Sequence, residues 1–160
     1  MADLDSLLRP FARSIYAKAS ACRQLDLRAE ERARFLESIS DDIKKCTNFV
    51  SVDVSQAAFD RAKSVGIDLR TKTWHDQPGF DRGRLVFHLE HIVPVSAIRR
   101  ACLDAPSDSA VFEILATKLR VVWILKEEDL VLTRLGYRTR RSDPDAAYRD
   151  AKICLAPRDT

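Results

Sequence analysis

The chain has 160 residues, 46% of them apolar and 32% charged, with a net charge of +3. This length allows one compact domain, or a catalytic module with a helical appendage, and the balance is that of a globular protein rather than a disordered or fibrous one. No apolar run approaches the roughly 20 residues a membrane-spanning helix needs, and a net charge this small does not by itself point to nucleic acid.

The N-terminus, MADLDSLLRP, carries acids where a secretory leader would carry a basic stretch, so the expectation is a cytoplasmic protein with no membrane partner. Three helices are predicted within 5–66. In the first, Leu4, Leu8, Phe11, Ile15 and Cys22 fall near helical spacing, and Pro10 must lie in the first turn or kink the helix. The second follows the capping candidate Asp26 and aligns Ala33, Leu36, Ile39, Ile43 and Cys46 on one stripe. The third follows Ser55, carries Ala58, Phe59, Ala62 and Val65, and stops at Gly66. Residues 67–84 are polar, hold Pro78, Gly79 and Gly83, and read as a loop or linker.

An apolar, β-branched run over 85–95 predicts a strand ending near Pro94. The polar bridge DAPSDS leads into a helix over about 109–118. LRVVWIL, 119–125, is the clearest strand of the chain. Glu127, Glu128 and Asp129 follow it and suit a helix N-terminus, where carboxylates meet the positive end of the dipole. That helix should run to Leu135 and stop at Gly136, and a last short helix should begin at Asp143 and Pro144. Cys22, Cys46, Cys102 and Cys154 lie too far apart in sequence for a zinc knuckle, so buried free thiols are expected.

Chemistry concentrates in His88-Leu89-Glu90-His91. Three side chains able to hold a metal or a proton occupy four positions of an otherwise apolar strand, where an ionised carboxylate needs a cation or another partner. A bound divalent metal is one answer, and a mutual His–Glu ion pair is another. Neighbouring residues of a regular strand face opposite ways. On a regular strand His88 and Glu90 form the better metal pair; a twist or bulge at 90–91 would instead bring Glu90 and His91 together.

Glu90-His91-Ile92-Val93-Pro94-Val95-Ser96 resembles the first motif of the HNH, or ββα-metal, endonucleases, and 121–129 resembles that family's second strand running into its metal-binding helix. The resemblance implies an α+β fold: a ββα-metal nuclease core of two strands and a helix within 67–160, preceded by a helical N-terminal region, 1–66. It casts His91 as the general base that activates water, with His88 as a further site residue. Glu90 would hold one Mg2+ or Mn2+ per active site, together with Asp129 or Glu128. Two positions depart from the family pattern. The middle asparagine has no counterpart, because Asn48 is the only asparagine, and the closing His or Asn falls on an acid.

Arg99, Arg100, Arg138, Arg140 and Arg141 are the candidates for phosphate contacts, and Trp123 and Tyr137 for stacking on bases, although a tryptophan inside an apolar strand also reads as core. The implied function is hydrolysis of DNA, most simply double-stranded, in restriction, homing or phage defence, by a homodimer or by a nuclease subunit of a larger complex. The alternatives are an inactive relative that only binds DNA or protein, and an unrelated helical interaction protein whose His–Glu cluster is an internal ion pair.

Overall fold

A computed structural model describes residues 3–158. Helix α1, Leu4–Gln24, begins at Asp3, whose carboxylate accepts the Ser6 N–H, and it runs through Pro10. Pro10 and Ser6 are both exposed, so the carbonyl left without its helical donor can be hydrated. Helix α2 spans Ala29–Cys46, strand β1 Val52–Val54 and helix α3 Gln56–Lys63. The short helix α4, Gln77–Phe80, lies in the stretch read as a loop, and strand β2 is Phe87–His91. Then come α5, Val95–Asp104; α6, Asp108–Lys118; β3, Val121–Leu125; α7, Lys126–Arg134; and α8, Pro144–Asp150.

The fold is mixed α+β, and the chain divides into two compact units. Residues up to Val50 join Val93–Leu119 in one, which contains α1, α2, α5 and α6. Its core is apolar and continuous: Leu8 and Ile15 of α1, Ile39 and Ile43 of α2, Ile98 and Cys102 of α5, and Leu115 of α6 are all fully buried. The division therefore does not follow the linear boundary at 66. Helices α5 and α6, carried between the two long strands, complete the core of the N-terminal helices, because each offers an apolar stripe that needs a partner.

Ser51–Ile92 and Arg120 onward form the second unit, built on a three-stranded sheet of order β1-β3-β2. β1 lies parallel to β3, and β2 lies antiparallel to it with Phe87 opposite Leu125 and His91 opposite Val121. Alternation along the strands gives each face its own core. Phe87, Trp123 and the half-buried Leu89 and Leu125 pack with Ala58 and Ala62 of α3. Val122, Ile124 and Ile92 pack with Leu132 of α7 and Tyr148 of α8. Trp123 is wholly buried and its indole N–H donates to the Lys72 carbonyl at 3.2 Å, which makes it core rather than a base-stacking group. Cys22, Cys46 and Cys102 are buried free thiols, as the spacing predicted, whereas Cys154 is exposed. Burial holds the Cys46 and Cys102 thiols protonated, at pKa values of about 12 and about 11, with the Asp42 charge adding to the first.

No described helix is long and apolar enough to cross a membrane.

Candidate metal centre

Strand β2 is regular over its whole length, each residue in register with its partner on β3. His88 and Glu90 therefore share a face, opposite Ile124 and Val122, and His88 Nε2 lies 2.9 Å from Glu90 Oε2. β3 runs straight into α7, and Asp129 lies in the first turn of that helix. This brings Asp129 Oδ1 to 3.9 Å from His88 Nε2. One donor atom from each of His88, Glu90 and Asp129 falls within 4.8 Å of the others. The side chains of His88 and Asp129 stay 32% and 27% exposed, against 14% for Glu90, so the group has a deep end and an open end.

The deep end is fixed by Arg141. Its side chain has no exposure; the guanidinium donates to Glu90 Oε1, to the carbonyls of His91 at 2.8 Å and Ile92 at 3.2 Å, and, through Nε, to Tyr137 O at 2.6 Å. Burial pushes the Glu90 carboxyl toward its neutral form. The His88 hydrogen bond and the Arg141 charge and hydrogen bond outweigh it, so the net displacement is below the ordinary carboxylate value and Glu90 is anionic at neutral pH. Beneath the same face, the Tyr148 phenol is pushed well above its usual range, by burial first and then by the Glu90 charge.

The remaining candidate residues have other places in the fold. Glu128, the rival of Asp129, is spent on structure: its Oε2 accepts the Ser55 hydroxyl at 2.6 Å and the Leu125 N–H at 2.8 Å, capping α7 and tying it to the start of α3. Because the strand has no bulge, His91 takes the parity of Leu89 and faces away from Glu90, although its carbonyl is held by Arg141. Arg141 was a candidate for phosphate contact; a fully buried guanidinium turned inward onto Glu90 cannot make one. Arg138 and Arg140, just before it, are exposed and have no ion pair among the described residues. Arg99 and Arg100 belong to α5 in the helical unit, where Arg99 donates to Ser40 Oγ at 2.9 Å and Arg100 is exposed. Tyr137 is half-buried and its hydroxyl donates to Asp150. His75 lies edge-on to Trp74, outside the donor group.

Sequence reasoning missed what aims β2. Asp81 is buried, and its carboxylate accepts the N–H groups of Leu85, Val86 and Phe87 together with the Gln77 side-chain amide. Gln77, also buried, donates to the Phe87 carbonyl at 2.7 Å. The only sequence signal is a pair of polar residues four apart just before a strand, too common to stand out.

No protein-family model, curated protein or solved structure matches the chain.

Proposed function

We propose that this chain is a metal-dependent endonuclease that hydrolyses phosphodiester bonds in DNA, with one divalent cation, magnesium or manganese, held by His88, Glu90 and Asp129. The observation that carries the reading is the convergence of three donors from two separate segments within 4.8 Å. In an octahedral shell with bonds of about 2.0–2.1 Å, adjacent donors stand about 3 Å apart and opposite ones about 4.2 Å. The 2.9 Å from His88 Nε2 to Glu90 Oε2 matches adjacent positions of that shell, and the 3.9 Å to Asp129 Oδ1 lies between the adjacent and opposite values. Two carboxylates, Glu90 and Asp129, stand against the single charge of Arg141, which suits a cation.

The bound cation would supply Lewis-acid stabilisation of the charge that develops on the phosphate and the leaving 3′ oxygen. The chain contributes a preset cradle: Arg141 keeps Glu90 ionised and fixed, and the half-exposed His88 and Asp129 leave the outer side open to a phosphate. In support of the ββα-metal resemblance, β2 pairs antiparallel with β3 and β3 runs into α7 with acids at its start, although α5 and α6 stand between the two strands in the chain. The ligand set adds His88 to the Glu90 and Asp129 that the resemblance implies, while His91, the implied general base, faces away from Glu90.

The test is cleavage of supercoiled plasmid with and without Mg2+ or Mn2+. Cleavage should require the cation and should fall by at least about a hundredfold in His88→Ala and in Asp129→Ala, while His91→Ala keeps most of it. Undiminished cleavage in Asp129→Ala would overturn the proposed ligand set; loss confined to His91→Ala would return the base role to that residue. A second reading, a fold kept for binding without cleavage, draws on one observation: both Glu90 oxygens already have partners, His88 and Arg141, without a metal. A calorimetric titration that gives no heat with Mn2+ would favour it.

A further inference from the structure

Leu85 is the most exposed large apolar side chain among the described residues, at 77%, and it is held out on a turn built not to move. The Asp81 carboxylate accepts the Leu85 N–H at 3.0 Å and the Phe87 N–H at 2.9 Å, while Arg84 N–H donates to the Asp81 carbonyl at 2.8 Å. The turn also commits two residues in succession to positive φ, Gly83 at +73° and Arg84 at +53°. The second is unfavourable for a side chain with a Cβ. Single exposed apolar residues are ordinary on a protein surface, and what sets Leu85 apart is that the Asp81 hydrogen bonds and a left-handed Arg84 fix it beside two arginines.

The surroundings say which surface. Leu85 is flanked by Arg82, which is exposed and has no hydrogen bond or ion pair among the described residues, and by Arg84. The Arg84 guanidinium lies flat over the Trp74 ring, 3.4 Å from its centroid, and Trp74 is itself 45% exposed. The one acid of the turn, Asp81, is buried and spent on backbone amides. The turn therefore holds an apolar tip between the exposed Arg82 and the half-buried Arg84, three residues before the His88 of the candidate metal centre. Apolar side chains that enter a base step beside arginines on the phosphates are how many proteins unstack and bend a duplex.

We propose that the turn 82–85 is a DNA-contacting element in which Leu85 wedges against the base stack of a duplex, with Arg82 and Arg84 on the flanking phosphates. The inference rests on the reading of the substrate as double-stranded DNA, but not on the metal.

The test uses the full chain in EDTA, so that cleavage plays no part. A fluorescein-labelled duplex of about 20 base pairs, and the single strand of the same sequence, are titrated and read by anisotropy. Leu85→Ala should weaken duplex binding by about tenfold, leave single-strand binding unchanged and preserve the salt dependence. Arg82→Ala should weaken both and lower the salt slope by about one. Duplexes with 2-aminopurine should brighten on binding the wild type and not Leu85→Ala. Both side chains are exposed, so thermal melts of the variants should match the wild type.

Equal duplex affinity for Leu85→Ala and wild type overturns the wedge, as does an equal loss on single strands or no duplex binding at all. DNA binding through Leu85 without cleavage under any divalent metal would leave the wedge standing and sink the nuclease reading. Cation-dependent cleavage with Leu85→Ala at full affinity would do the reverse.

Discussion

Arg141 donates from a fully buried side chain to Glu90 and to the carbonyls of Tyr137, His91 and Ile92, so it is both the counter-ion of the candidate metal centre and the clamp that joins 137–141 to the end of β2. Removing it leaves a nearly buried carboxylate and three carbonyls without their donor. Arg141→Met should therefore cost roughly 3–5 kcal/mol, read by urea unfolding. Mn2+ should return part of that loss, because the cation replaces the missing charge on Glu90. A larger Mn2+-induced rise in melting temperature for this variant than for the wild type is the expected result, and an equal rise would show that Arg141 does not share Glu90 with the metal.

Asp81 is the second residue whose charge the fold protects. Burial disfavours its anion, but the hydrogen bonds from Phe87, Gln77, Val86 and Leu85 outweigh it and hold the carboxyl below the ordinary 3.8. A folded-state value lower than the unfolded one contributes stability that is complete above about 3.8 and lost as pH falls through the lower, folded value. Asp81→Asn should accordingly be less stable than wild type at neutral pH, by about 1–3 kcal/mol. The gap in urea midpoints should close as the pH is taken below the folded-state value, and a gap independent of pH would show that the charge is immaterial.

At the scale of elements, the decisive joint is β3 running into α7. Leu125, at the helix N-cap, has no side chain able to cap, so Glu128 reaches back to the Leu125 N–H and also takes the Ser55 hydroxyl. Glu128→Ala should cost about 1–2 kcal/mol in unfolding while leaving Mn2+ affinity within a few-fold of wild type, since the proposed ligand beside it is Asp129. A collapse of Mn2+ affinity in that variant would give Glu128 the ligand role instead. The sequence pattern made this joint legible because LRVVWIL is β-branched and apolar and the three acids that follow it suit a helix start; it left Glu128 and Asp129 undecided because neighbouring positions on a helix turn differ in direction, which no composition reveals.

Helix α5 was illegible for a related reason. Apart from His88, Glu90 and His91 the run from Leu85 to Val95 is apolar, so the end of β2 at His91 and the helix beginning at Val95 merge into one signal, and only Ile98 and Cys102, one turn apart and buried, mark the change of period. β1, three residues long, is too short to show any period. The parity of β2 was readable in both forms, regular or bulged, and its register with β3 selects the regular one, which pairs His88 with Glu90 and turns His91 away.

At the scale of the molecule, every donor of the candidate metal centre belongs to the sheet unit, and so do both tryptophans, Trp74 and Trp123. Metal binding and indole fluorescence thus concern the same half of the chain. A ligand that binds only the folded form adds RT ln(1 + [L]/Kd), about 2.7 kcal/mol at a hundred times Kd. Saturating Mn2+ should therefore move the fluorescence-detected melting transition upward and slow amide exchange in β2, β3 and α7. The shift should vanish in Asp129→Ala. In the helical unit, α1, α2, α5 and α6 contribute no donor, so their direct protection by the metal should be nil. Slowing of their exchange to the same extent would mean that the two units unfold as one cooperative body, and an undisturbed sheet unit would mean that His88, Glu90 and Asp129 do not hold the cation.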